Sequence, residues 1–167
     1  MNIFPPWRID STGVIFILKT VKKLTILCIM LTFLPICSCG RRSSAYEILE
    51  EFCKAYSING AIYRSGALEH EEGYISDELF FAAFTWEGEK PRDFAVFLNR
   101  SVDKPLECGV FAFSDAAERE KIRRMCTERA GLLRNGDYAL IISDGFVFYA
   151  VVDDPSRAEE IFYLVVG

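Results

Sequence analysis

The fold turns on Tyr138-Ala139-Leu140-Ile141-Ile142-Ser143-Asp144-Gly145-Phe146-Val147-Phe148-Tyr149-Ala150-Val151-Val152-Asp153-Asp154-Pro155. Two runs rich in β-branched and aromatic residues flank Ser143-Asp144-Gly145, and Asp-Gly between such runs is among the strongest hairpin signals. This predicts strands over 138–142 and 146–152. Asp154 then caps and Pro155 opens a last helix, with Ala158, Ile161, Phe162 and Val165 on one face.

Working back from the hairpin, Ser114 starts a long helix whose stripe is Ile122, Met125, Cys126, Arg129 and Leu132 or Leu133, closed by Asn135-Gly136. Before it, Asp93 to Asn99 and Leu106 to Phe113 read as paired strands across a turn containing Asp103 and Pro105. The order β-β-α-β-β-α predicts an α+β fold, an antiparallel sheet of about four strands with helices packed against it. Upstream, Ser44-Ala45-Tyr46-Glu47 is a capping box, and Ile48, Leu49, Phe52, Cys53 and Tyr56 follow at helical spacing before Asn59-Gly60. Residues 61–75 read as loop with a short strand near Ile62, and Ser76-Asp77-Glu78 caps a short helix through Phe84.

Strand parity makes both sheet faces apolar. Phe94, Val96 and Leu98 point one way and Ala95 and Phe97 the other; Phe146 and Phe148 oppose Val147, Tyr149 and Val151. The two later helices are expected on one side of the sheet. The other side is then left to the Ser44 to Ile58 helix and the Leu79 to Phe84 segment. Partial cover would expose an apolar groove for a protein segment or lipid-like ligand around Phe97, Val147 and Tyr149, whereas complete cover would give a three-layer core. Trp86 either closes a helix end or joins that face as an exposed binding aromatic.

A chain of 167 residues has room for one domain and a tail, and its 51% hydrophobic and 14% aromatic content excludes a disordered polymer. The net charge of -5 is unevenly spread. Residues 1–38 carry Arg8, Lys19, Lys22 and Lys23 against Asp10 alone, whereas the remainder is acidic, which argues against a nucleic-acid partner.

Lys22-Lys23, the apolar run Leu24 to Ile36 and Cys37-Ser38-Cys39-Gly40 have the three parts of a secretory signal peptide. The run is too short to span a bilayer, and Lys19, Lys22 and Lys23 separate it from the apolar Val14 to Leu18. Ile36-Cys37-Ser38-Cys39 resembles the lipobox of bacterial lipoproteins. The resemblance implies that Cys39 takes a diacylglyceryl thioether and becomes the mature N-terminus, attached by acyl chains rather than by a spanning helix. Residues 1–38 are accordingly leader and signal peptide, 39–44 a lipidated tether, and 45–167 a single α+β domain. Residues 1–20 are either a long n-region or a start assigned too early, with translation beginning at Val21.

Within residues 76–166, Glu107-Cys108-Gly109-Val110-Phe111, Tyr138 and Gly145-Phe146-Val147-Phe148-Tyr149 leading to Asp153-Asp154 carry a further likeness. Here the chain resembles a family of small bacterial lipoproteins, mostly of anaerobic Gram-positive bacteria, that share a domain of unknown function. It departs from them where its long helix runs almost directly into the hairpin. The likeness implies fold and location, and brings no catalytic residue.

Chemistry has little purchase on the remaining residues. Glu69-His70-Glu71-Glu72 holds the only histidine, but adjacent side chains cannot all face one ion, so a solvated acidic loop is the better reading and no metal is expected. No nucleophile-elbow motif accompanies any serine, and no glycine-rich phosphate loop is present, so no catalytic residue and no cofactor is expected. Cys53, Cys108 and Cys126 remain after processing, with no CxxC spacing; two of them can pair in an extracytoplasmic compartment. Two functions follow as expectations: a membrane-anchored binding module, its partner a protein or apolar ligand, or an envelope enzyme with a site assembled from scattered residues.

Overall fold

The computed structural model describes residues 43–86, 88–98, 106–133 and 137–167. Their elements in order are helix α1 (Ala45–Tyr56), strand β1 (Ile62–Arg64), helix α2 (Asp77–Ala83), strands β2 (Phe94–Leu98) and β3 (Glu107–Ala112), helix α3 (Ala116–Leu133), strands β4 (Ala139–Ser143) and β5 (Phe146–Val151), and helix α4 (Pro155–Val166). The fold is α+β. The strands form one antiparallel sheet in the order β1-β2-β3-β5-β4.

Three of the helix starts are built by the residues that the sequence places there, whereas α3 is capped by Asp115, one residue beyond the expected Ser114. Ser44 accepts the Glu47 N–H and the Glu47 carboxylate accepts the Ser44 N–H at 2.9 Å, a complete capping box. Ser76 accepts from Leu79 N–H, Asp115 from Glu118 N–H at 2.8 Å, and Asp154 from Arg157 N–H at 3.0 Å. At the other end of α1, Ser57 in the left-handed conformation (φ 67) closes the helix, ahead of Asn59-Gly60.

The sheet has five strands rather than about four. β1 is short and lies between Gly60 and Gly66, yet it pairs in register with β2, Ile62 opposite Phe97 and Arg64 opposite Ala95. The hairpin turn is Asp144-Gly145, both with positive φ (50 and 87), so β4 and β5 are joined by a two-residue loop whose twist suits the strands. β3 and β4 run in the same sense with β5 between them, and α3 crosses one face to connect them.

That crossover overturns one expectation: the two later helices lie on opposite faces. On the first face α1 and α4 cover Ala95, Phe97, Cys108, Val110, Phe146, Phe148 and Ala150. On the second, α2 and α3 cover Phe94, Val96, Phe111, Val147, Tyr149 and Val151. The reason lies in the parity of the chain leaving β5. Val152 turns into the first-face core, and α4 packs against α1 and β4, an apolar strip that α1 alone leaves open. Along α3 the buried residues are Ile122, Met125, Cys126 and Ala130; Leu133 packs on the core while Leu132 is 77% exposed.

Candidate functional site

The residues singled out as a binding face are covered. Val147 and Tyr149 are fully buried beneath α2 and α3, and Phe97 is 4% exposed beneath α1. No groove opens there, since the helices complete a three-layer core. Trp86 is half-buried; its indole N–H donates to the Glu89 carbonyl at 2.7 Å, and the Lys121 ammonium sits 3.9 Å from its ring centroid. It closes the segment after α2. Cys39 and the whole leader lie outside the described residues, as does Asn135-Gly136.

Residues 69–72 form an exposed loop, and no group of three or more metal-ligating side chains occurs among the described residues. Asp154 is occupied as the cap of α4, and its backbone exchanges hydrogen bonds with the Tyr56 hydroxyl.

Sequence reasoning missed one polar constellation on the second face. Glu107 is 3% exposed, the only buried charged residue among those described. Its Oε1 accepts from Arg129 Nε at 2.7 Å and from the Tyr149 hydroxyl at 2.6 Å, and its Oε2 accepts from Arg129 Nη2 at 2.7 Å. Gly109 makes this geometry accessible. It pairs with Tyr149 across β3 and β5, and a Cβ there would lie 2.7 Å from the tyrosine Cε1. Without that Cβ the ring lies along β3 and carries its hydroxyl to Glu107, two residues away. Burial, then the Glu107 charge, push the Tyr149 hydroxyl well above its usual pKa; the Glu107 hydrogen bond raises Arg129. The signal in the sequence was an arginine in the apolar stripe of α3, facing a glutamate at the start of a strand. All three groups satisfy one another, so the trio ties α3 to β3 and β5 and presents no free base to a substrate.

Among the described residues, two of the clefts flank the core. One, of about 350 Å³, lies between α1 and β1 and is lined by Tyr46, Glu50, Cys53, Lys54 and Arg64 among others. In its lining Lys54 pairs with Glu50 at 3.0 Å, lowering the Glu50 pKa, and the Arg64 guanidinium lies 4.7 Å from the Tyr46 centroid. The other, of about 420 Å³, runs along α3 beside Thr85, Lys121, Arg124, Met125 and Glu128. Neither gathers nucleophile, base and oxyanion donors.

The two edges of the sheet differ. At β1 the following loop folds back and Arg64 N–H donates to the Gly73 carbonyl at 2.8 Å; Gly73 (φ 86) is needed, since a Cβ would sit 2.7 Å from the Ile62 carbonyl oxygen. At β4 the strand order ends. Ser143 and Phe146 flank the two-residue turn and form the hydrogen-bonded pair, so Ala139 and Ile141 face β5 with their backbone groups, while those of Leu140 and Ile142 point to the open edge. The strand Ala-Leu-Ile-Ile-Ser carries no charge, proline or bulge to block pairing. Ile142 is 40% exposed. Leu132 at the end of α3 and Tyr163 and Leu164 at the end of α4, on the two helices that pack against β4, are also exposed.

Comparison with known proteins leaves the chain alone: no family model, no curated protein and no solved structure matches it.

Proposed function

We propose that this protein is a lipid-anchored, extracytoplasmic binding module, held to the membrane through Cys39 and engaging a protein partner by strand addition at β4. The open, uncharged β4 edge carries the proposal. It offers two residues' worth of backbone donors and acceptors that no strand pairs among the described residues, beside exposed apolar side chains, the chemistry that an extended peptide with alternating apolar residues satisfies. An apolar small-molecule ligand is disfavoured by the complete cover over both sheet faces. The anchor rests on the Leu24 to Ile36 run and Ser38-Cys39-Gly40, and the kinship with small bacterial lipoproteins belongs to the same proposal.

The test is photocrosslinking in intact membranes from a probe at Ile142, with a probe at Glu159 on the exposed face of α4 as reference. Strand addition predicts a discrete protein adduct from position 142 that is lost in a Leu140→Pro background, because proline removes the edge N–H without entering the β5 ladder. Equal adducts from both positions, or an adduct at 142 that survives the proline, would overturn it.

A further inference from the structure

Cys53 on α1 and Cys108 on β3 are two chemically competent groups for which the binding reading has no use. Both are free thiols in the structure and belong to the first-face core, where α1 packs on β3. Both side chains lie in the contact between that helix and that strand; burial, then the neighbouring Cys53 thiol, pushes the Cys108 thiol well above its usual pKa. Cys126 lies in the other core, separated from them by the sheet. The two partners also differ in access. Cys108 is completely enclosed, whereas Cys53, 5% exposed, helps to line the cleft between α1 and β1.

We propose that Cys53 and Cys108 form an intramolecular disulfide, made through that cleft by exchange with an extracytoplasmic disulfide oxidant. The inference rests on the reading that the body lies outside the cytoplasm, where disulfides persist. Cys53, as thiolate, attacks one sulfur of the incoming disulfide and expels its other sulfur as a thiolate. Cys108, deprotonated in its turn, attacks the Cys53 sulfur of the mixed disulfide and releases the second oxidant sulfur. Two thiols of the protein lose two protons and two electrons, and the oxidant leaves as two thiols carrying both. Order is imposed by access: Cys53 meets the oxidant and Cys108 resolves.

The bond would join the helix that follows the tether to the central strand of the sheet. Because it closes a long loop of chain, it should raise the melting temperature by roughly 10 °C over the reduced protein.

The experiment has two arms on the full-length protein. Membrane-extracted protein is alkylated without reductant and its peptides mapped, while the same sample reports whether Cys39 is lipidated. The expected result is a joined Cys53–Cys108 peptide pair and an alkylated Cys126. Lipidated Cys39 with Cys53 and Cys108 both alkylated would overturn the disulfide and leave the anchor standing. In the second arm, reduced, folded protein is treated with oxidised glutathione, which needs no assumption about location. Closure of the same pair is expected, with glutathione trapped on Cys53 in Cys108→Ala; failure to close in the folded protein would overturn the inference by itself.

Discussion

Gly109→Ala places a methyl group against three side chains at once: Tyr149 Cε1 at 2.7 Å, and Phe111 Cε2 and Val96 Cγ1 at 3.0 Å. The tyrosine cannot retreat without leaving Glu107, so the substitution should cost about 1–3 kcal/mol by overpacking, read as a lowered denaturation midpoint at unchanged m-value. Buried proton donors add a second prediction at this scale. Tyr149, Cys108 and Cys126 are all pushed well above their usual values of 10.0 and 9.0, with burial the largest cause. In the reduced protein, where Cys108 carries a thiol proton, the unfolded chain releases these protons at those ordinary values while the folded protein holds them. The unfolded state therefore binds fewer protons, and stability, full below about pH 9, should fall as pH rises through 9 and 10. Tyr149→Phe should flatten the upper part of that slope. A denaturation midpoint that stays level from pH 8 to 11 would contradict the assignment.

At the scale of elements, local chemistry was legible where it needed no distant partner. The capping box at Ser44, the Ser76 and Asp154 caps and the Asp144-Gly145 turn all act within a few residues, and each stands where the sequence places it. What was not legible depends on neighbours far along the chain. The short strand expected near Ile62 stands as β1, but its three residues do not show that it pairs with β2 as a fifth strand of the sheet. The Glu107–Arg129 contact joins elements 22 residues apart, and only the packed second face shows that both point inward. The side taken by α4 depends on Val152 and on the strip of β4 and β5 that α1 leaves uncovered. This placement can be tested through Phe162, fully buried and stacked on Phe148 with centroids 4.3 Å apart. Phe162→Ala should cost about 3–5 kcal/mol in urea denaturation, the range for a large core aromatic. A neighbouring change at Leu164, 82% exposed, should stay within about 0.5 kcal/mol. If both substitutions proved equally mild, α4 would not be a layer of the core.

For the molecule as a whole, the proposed membrane location asks what in the chain would hold it there. No helix among the described residues is long and apolar enough to cross a bilayer, and both apolar faces of the sheet are covered by helices. Attachment in the proposed reading comes from outside the described fold, through Cys39 ahead of the Ser44 cap. Two acyl chains give stable attachment where one gives marginal binding. Cys39→Ala removes the sulfur that carries the diacylglyceryl group. The variant should therefore leave the membrane fraction if its leader is removed, or stay there with the apolar Leu24 to Ile36 run uncleaved and a correspondingly larger mass. The native protein should show a mature N-terminus at Cys39 heavier by the lipid. Mass spectrometry of both N-termini decides the matter, and a native N-terminus with unmodified Cys39, or one beginning at another residue, would sink the lipoprotein reading.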